Sequence, residues 1–521
     1  MPFVDPFERH VAARLVDFFG TNTPWHRRLW GSGIALTLKE VLEASHAVRT
    51  GVLSSDTLSD LTNYAVTLAG KDPGVGSAER KQVLQRAMKG NMAAEGACFS
   101  VIGATINDLE ANYLSRWKTA LENTDGRPQP ERTARAIACH LLDTGFSSTH
   151  LHKWCTFNMK SDQGARSLSD LTSAAEELSR RPPKTYKILV GFHNVPRSRH
   201  GLPENWLSAD AASRWLRNNR VDVSGARQNG AMLFQVVARD EWAALQLAVD
   251  HVEHLISRVT LGTDSELRPT RQAWVQGSEK TFPFKPEHRH VEVHALHRED
   301  QLYSAQTNSI VDAAMELMGS LNSGPASSAV GAGWAAIEAL LSGPGDQDVA
   351  AADRMADLVA CSFVRAELTY LSYRLEAQGG ELARGLASSG SNRDRAAMVY
   401  KSIEGKNDLR FAEDCDGAAL RRMQAIHANP FARLGDVQVH AAASFKRLYR
   451  NRNLVLHGGK TDAMGLSACL RTAGPLVGAG MDRIAHAWFV QNMRPMELAA
   501  RARVSLGTAG SAECNSLVDM L

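Results

Sequence analysis

The chain has 521 residues, of which 22% are charged and 44% are hydrophobic, and this ordinary composition excludes a mostly disordered or collagen-like protein. Its length predicts about three domains. The 59 Lys and Arg residues nearly balance the 56 Asp and Glu residues, so there is no global basic field and any nucleic-acid binding must come from a local patch.

The cysteines and the amino-terminal residues bear on location. The seven cysteines are far apart and form no CxxC pair, which is typical of reduced thiols in the cytoplasm. Residues 1–19 contain early acidic residues and no long apolar core, so we do not expect a signal peptide. No window of about 18 apolar residues predicts a membrane span. We therefore expect a cytoplasmic protein.

Residues 1–182 are predicted to form an amino-terminal helical domain. Apolar residues recur three and four apart in ALTLKEVLEASHAV and ERTARAIACHLLDTG, the spacing of one helical face. Residues 179–184, SRRPPK, predict a stiff linker, because two adjacent prolines cannot continue a helix.

Residues 183–300 are predicted to form a small α/β domain. TYKILVGFHNV, MLFQVVARD and HVEVHAL have the character of strands, and SADAASRWLRNN and EWAALQLAVDHVEHLISRV that of helices. The sequence contains neither GxGxxG nor GxxxxGK[ST], so neither dinucleotide nor P-loop nucleotide binding is indicated and no cofactor is expected.

Residues 301–521 are predicted to form a carboxy-terminal helical bundle, so that the fold class is mainly α. Long amphipathic stretches fill this region, and Gly343–Gly345 and Gly458–Gly459 are typical helix stops. The last 25 residues are rich in Ala, Gly and Ser, and we expect them to fray.

The richest chemical signal lies in residues 444–460, SFKRLYRNRNLVLHGGK. This segment has no acidic residue and carries five basic ones, Lys446, Arg447, Arg450, Arg452 and Lys460. On a helix, Arg452 falls on a stripe with Phe445 and Leu448. An arginine on such a stripe is costly unless it is paired or lies at an interface.

His457 falls in the last turn of this predicted helix, where the negative end of the helix dipole favours an imidazolium. Histidine can move a proton at a ribose 2′-hydroxyl or a leaving 5′-oxygen, and arginine can stabilise the charge of a phosphorane. Two symmetry-related copies would supply two of each, so a twofold dimer is attractive for RNA cleavage. Spacing alone also fits a surface basic helix with a capping histidine.

Residues 452–457, RNLVLH, match the R-[ND]-x-x-x-H form of the motif of HEPN ribonucleases, and the surrounding RLYRNRNLVLHGG resembles HEPN domains of bacterial defence proteins. GWAAIEALLSG, followed by DRMADLVACSF, is similar to the earlier helices of those domains. The similarity covers about residues 301–495 and is specific at the motif.

The resemblance implies an all-α, dimeric endoribonuclease that needs no metal, cuts single-stranded RNA and acts in prokaryotic antiviral defence or a toxin-like role. Arg452 and His457 would be catalytic and Asn453 would orient them, with Glu338 on a neighbouring helix and Arg450 in support. Lys446, Arg447 and Lys460 would bind RNA. The first 300 residues would receive an activating ligand or protein.

Two alternatives stay open. Helical geometry places Arg450 almost in line with His457, seven residues away, whereas the family spacing selects Arg452. We favour Arg452 as the catalytic cation and expect Arg450 to bind the RNA backbone. The alternative to the enzyme is a non-catalytic HEPN scaffold or nucleotide-binding protein, in which Arg452 and His457 hold a dimer interface.

Weaker patterns have simpler explanations. His290, Glu292 and His294 would share one face of a strand, but three close residues rarely complete a metal site, and an exposed strand edge is favoured. The stretch from Cys139 to Cys155 matches no zinc pattern. The loop with His193, Arg197, Arg199 and His200 and the segment WHRR at residues 25–28 could touch RNA, although a solvated loop is the better interpretation for the first.

Overall fold

The computed structural model describes residues 3–90, 92, 96–123, 126–160, 165–194, 201–221, 228–286, 288–304, 309–514 and 516–521. Over these residues it contains twenty α-helices and one five-stranded sheet, which confirms the predicted mainly α fold with a small α/β part. Within the same ranges, no helix combines the length and the apolar character that crossing a bilayer requires.

The amino-terminal region is a set of eight helices, several of which begin at a side-chain cap. Asp5, Ser54 and Ser77 each accept a hydrogen bond from a backbone N–H in the first turn, and Ser167 forms a capping box with Asp170. The helices are α1 Pro6–Phe19, α2 Ile34–Arg49, α3 Ser55–Gly70, α4 Ala78–Lys89, α5 Ala97–Glu122, α6 Pro130–Asp143, α7 Ser148–Lys160 and α8 Leu168–Arg180.

The middle region is an antiparallel sheet with two long helices. Its elements are β1 Lys184–Phe192, β2 Trp206–Ser208, α9 Ala209–Asn218, β3 Gly230–Ala238, α10 Glu241–Gly262, β4 Pro269–Val275 and β5 Thr281–Pro283. The strand order is β2-β3-β1-β4-β5, and Leu189 in β1 lies opposite Leu233 in β3. Alternate residues of the central strand β1 enter different cores, because Ile188 packs with the α10 side and Leu189 with the α9 side.

The predicted strand at 290–296 is wrong. His290 has a positive φ of 56°, and the chain instead leads into a short helix, α11 Ala295–Arg298. The alternation did identify partly buried residues, since Val291 and Val293 both pack against the main core. Their partner is a helix rather than a neighbouring strand. The strands β2, β4 and β5 were not predicted.

The carboxy-terminal region is a bundle around one long helix. Its helices are α12 Ile310–Ser323, α13 Ala326–Leu341, α14 Ala350–Gln378, α15 Glu381–Ala387, α16 Asn392–Glu404, α17 Asp414–Ala428, α18 Pro430–Leu456, α19 Leu466–Gln491 and α20 Pro495–Gly507. Helix α14 packs against α16, α18, α19 and α20. The expected fraying is wrong, because α20 is a helix and Leu517, Val518 and Met520 are buried.

The two helical regions, predicted as separate domains at 1–182 and 301–521, share one hydrophobic core. Helix α1 lies against α17. The two regions are also joined by buried charges, because the guanidinium of Arg27 donates hydrogen bonds to Glu367 at 2.7 Å and to Asp416 at 2.8 Å. The sheet region has two hydrophobic cores of its own.

Candidate active site at the end of helix α18

Helix α18 carries the RNLVLH motif on its last turns. Asn429 caps its first turn and Pro430 occupies the first helical position, where a missing N–H costs nothing. Phe445 and Leu448 on the predicted stripe are fully buried. Gly459 adopts a positive φ of 63°, which glycine tolerates without strain, and this turn ends the helix just after the motif.

Arg452, Asn453 and His457 lie together. Nη1 of Arg452 is 2.7 Å from Oδ1 of Asn453 and 2.8 Å from Nε2 of His457. His457 is exposed, Arg452 is half-buried and Asn453 is buried. The neighbour of His457 is therefore Arg452, as the motif spacing predicts, and not Arg450, as helical geometry alone favours.

The Arg452–His457 contact fixes which group donates. A guanidinium can only donate hydrogen bonds, so Nε2 of His457 accepts in this contact. The motif thus places a proton acceptor beside a permanent cation, in contact with solvent.

A second layer of side chains lies behind the motif. The hydroxyl of Tyr449, one turn before Asn453 on the same helix, donates a hydrogen bond to Asp348 at 3.0 Å. Burial raises the pKa of Tyr449, so its hydroxyl stays protonated. The Tyr449 ring packs on Trp334, with 5.0 Å between centroids.

Sequence reasoning missed this layer. Tyr449 precedes Asn453 by four residues, the spacing of neighbours on one helical face, so that signal was present. Asp348 comes from the segment between α13 and α14, a hundred residues away, and no local pattern identifies it.

Arg447 and Arg450 lie in the interior and not on an RNA-facing surface. Arg447 donates two hydrogen bonds to Glu40 of α2, at 2.7 and 3.0 Å, and a third to Ser32. Burial alone lowers the pKa of Arg447, but the Glu40 carboxylate more than offsets this and raises it. Arg450 is 3.9 Å from the same carboxylate, and burial lowers its pKa. The expected RNA contacts of both arginines are therefore corrected to internal ion pairs.

The other predicted residues are dispersed. Lys446 lies 3.1 Å from Asp60 and 3.3 Å from Asp353. Lys460 lies 2.6 Å from Glu43, which also accepts a hydrogen bond from the backbone of Met464. Glu338 is exposed, and over the described ranges no hydrogen bond or ion pair joins it to Arg452 or His457.

Charge pairing singles out one cation. Of the five basic residues in segment 444–460, four have a carboxylate within 4 Å. In the part of the chain that the structure describes, Arg452 has no such partner, and its side-chain hydrogen bonds go to Asn453 and His457. Its positive charge is consequently available to a bound anion.

Among the described residues, the His290–His294 and WHRR patterns have internal partners. Glu292 lies 3.5 Å from His290 and 3.4 Å from His294, and hydrogen bonds from these rings hold its pKa far below the usual range. No group of three or more His, Cys, Asp or Glu side chains able to hold a metal occurs among the described residues. His26 and Arg27 of the WHRR segment are buried beside Glu367 and do not face RNA.

The remaining patterns are the Cys139–Cys155 stretch and the loop at residues 193–200. Cys139 and Cys155 are buried thiols whose pKa burial raises, so they are poor nucleophiles. His193 is exposed, and Arg197, Arg199 and His200 lie outside the described residues. No protein-family model, curated protein or solved structure matches the chain. The HEPN resemblance therefore rests on the motif and its flanking residues.

Proposed function

We propose that the protein is a metal-independent endoribonuclease that cuts single-stranded RNA at Arg452 and His457, in the manner of HEPN ribonucleases. The observation that carries this proposal is the solvent-accessible contact between Nε2 of His457, which accepts, and the guanidinium of Arg452, which has no carboxylate partner among the described residues. By analogy with the family, the activity would serve cytoplasmic antiviral defence or a toxin-like role.

The chemistry follows from the two groups. Nε2 of His457 accepts the proton of a ribose 2′-hydroxyl as the 2′-oxygen forms a bond to phosphorus. Arg452 turns from the imidazole towards the phosphate and stabilises the charge of the phosphorane. When the P–O5′ bond breaks, the leaving oxygen takes a proton from a second imidazolium, and the products are a 2′,3′-cyclic phosphate and a 5′-hydroxyl. Asn453, whose Oδ1 accepts a hydrogen bond from Nη1 of Arg452, positions that guanidinium.

The need for a second imidazole supports a homodimer. One His457 cannot accept a proton and donate another in the same step, whereas a twofold contact would bring two copies to one phosphate. The side chains of Leu456 and Met464 are 55% and 56% exposed on either side of the His457 turn. A symmetric contact there would bury apolar surface around the proposed site.

The deciding experiment is cleavage of a fluorescent single-stranded RNA in EDTA. We expect wild-type protein to produce cyclic-phosphate ends, and His457→Ala and Arg452→Ala each to lower the rate at saturating RNA by about a hundredfold or more. His297→Ala and Arg410→Ala are matched controls, because both residues are exposed and lie outside the site. Activity that EDTA abolishes and Mn²⁺ restores would refute the proposal.

The alternative is a non-catalytic HEPN scaffold or nucleotide-binding protein. One observation favours it: Nη1 of Arg452 already donates to both Asn453 and His457, so the motif residues satisfy each other. In that case the wild type would show no cleavage, and Arg452→Ala would weaken self-association. Sedimentation of the same variants therefore separates the two functions.

A further inference from the structure

A large cavity lies between the two helical regions. Its volume is about 760 Å³, and its walls come from α1, α3, α5 and α6 on one side and from α14, α17 and α18 on the other. Volumes of this size hold small-molecule ligands in other proteins. The cavity is distinct from the Arg452–His457 pair, which lies at the far end of α18.

Most of the wall is aromatic or aliphatic. The apolar side chains that line it include Trp30, Tyr64, Leu68, Phe363, Ile426 and Val437. Three aromatic rings from separate elements can contact a flat ligand, and contact with such rings stabilises an aromatic body beyond the area it buries. The walls therefore favour a ligand with an aromatic or otherwise apolar body.

Arg135 of helix α6 is a cation on the cavity wall. Over the described residues, Arg135 has no carboxylate partner, and its Nη1 is buried without a hydrogen bond. Its guanidinium instead lies 5.9 Å from the ring of Phe18 and 6.0 Å from that of Trp30. A cation in such surroundings is costly unless an anion accompanies it.

The three carboxylates on the wall have other partners. Asp436 pairs with Arg433 at 3.4 Å. Glu131 on the wall is taken by Arg14 at 3.0 Å and His10 at 2.9 Å. Asp72 accepts hydrogen bonds from Tyr113 and from the backbone of Gly74.

His440 adds another unused polar atom to the wall. Its Nδ1 is buried without a partner. Burial and the nearby Arg135 hold the pKa of His440 well below its usual range, so the ring is neutral and Nδ1 can accept or donate a hydrogen bond.

We propose that this cavity binds a small molecule with an aromatic body and one anionic group, a carboxylate, sulfonate or phosphate, whose charge pairs with Arg135. The neutral His440 ring would hydrogen-bond the same group or a polar atom beside it. This inference does not depend on the proposed ribonuclease activity.

The test uses a matched pair of fluorescent probes on the full chain. 8-Anilinonaphthalene-1-sulfonate carries an anion, and N-phenyl-1-naphthylamine has the same aromatic body without it. We expect one sulfonate probe per chain, with Arg135→Gln weakening its binding about tenfold or more and changing that of the neutral probe less than about twofold. Arg410→Gln, on an exposed arginine paired with Asp408, should change neither.

A second variant keeps the test decisive if Arg135→Gln does not fold. Val437→Trp places a large side chain into the cavity from α18 and should prevent binding of both probes. Wild-type binding of either probe to this variant would locate the probe elsewhere and overturn the proposal. Equal binding of the sulfonate probe to wild type and Arg135→Gln would equally overturn it, since the anion would then have no specific partner.

Discussion

Replacing Glu40 by Gln removes one charge from the centre of the molecule and changes little else. The carboxylate of Glu40 is the shared partner of Arg447 and Arg450, and it connects α2 of the amino-terminal region to the motif helix α18. Glutamine has the same shape, so the substitution creates no cavity. Its effect on stability reports the cost of leaving buried guanidinium groups without a counter-charge.

The expected magnitude is large. Glu40 is 4% exposed and Arg447 is 1% exposed, so solvent cannot compensate the lost charge. Breaking a buried ion pair from one side costs about 3–5 kcal/mol. Domain stabilities are about 5–15 kcal/mol, so this is a substantial fraction of the total. The slope m grows with chain length beyond the roughly 1–3 kcal/mol/M of small proteins, so we expect the midpoint of urea unfolding to fall by about 0.5–1 M.

Urea unfolding followed by far-UV circular dichroism measures this change. The matched control is Glu110→Gln, because Glu110 pairs with Lys39 of the same helix α2 at 2.6 Å but at the surface. That variant should lose less than about 1 kcal/mol. Adding Arg447→Met to Glu40→Gln should recover part of the loss. Equal midpoints for the two Gln variants, or no recovery, would refute the reasoning.

Three further predictions concern pH, positioning and assembly. Burial lowers the pKa of His140 to about 4, so the unfolded chain binds a proton as pH falls through about 6.5 and the folded chain does not. Between pH 7 and 5, the free energy of unfolding measured in urea should therefore fall by about 2 kcal/mol more for the wild type than for His140→Phe. Equal losses for the two proteins would contradict this. Tyr449→Phe removes the hydroxyl that anchors the motif helix to Asp348 one turn before Asn453. It should lower kcat about tenfold with KM unchanged, and a raised KM alone would argue against positioning. Leu456→Asp should yield a monomer without RNA cleavage in sedimentation and cleavage assays, and an active monomer would exclude the composite site.

Sequence patterns predicted those elements whose burial follows a local period. The apolar stripe of α18 and its stop at Gly458–Gly459 were visible, because a helix repeats every 3.6 residues and glycine ends it without strain. The central strand β1 was also predicted, since its continuous apolar run is buried on both faces. The strand predicted at 290–296 was wrong. Alternating apolar residues show which side chains are buried, but they do not show whether a strand or a helix packs against them.

The tertiary structure determined which basic residues of segment 444–460 have a carboxylate partner. Segment 444–460 contains five basic residues and no acid, yet Glu40 and Glu43 of α2 and two aspartates from α3 and α14 neutralise four of them. Those carboxylates lie about 90 to 420 residues away in sequence, so no local pattern could predict which cation would have no carboxylate partner. The family spacing selected Arg452, and the fold left that residue without a carboxylate partner among the described residues. Periodicity is local and can be seen in a sequence, whereas the pairing of a buried charge depends on which distant helix lies against it.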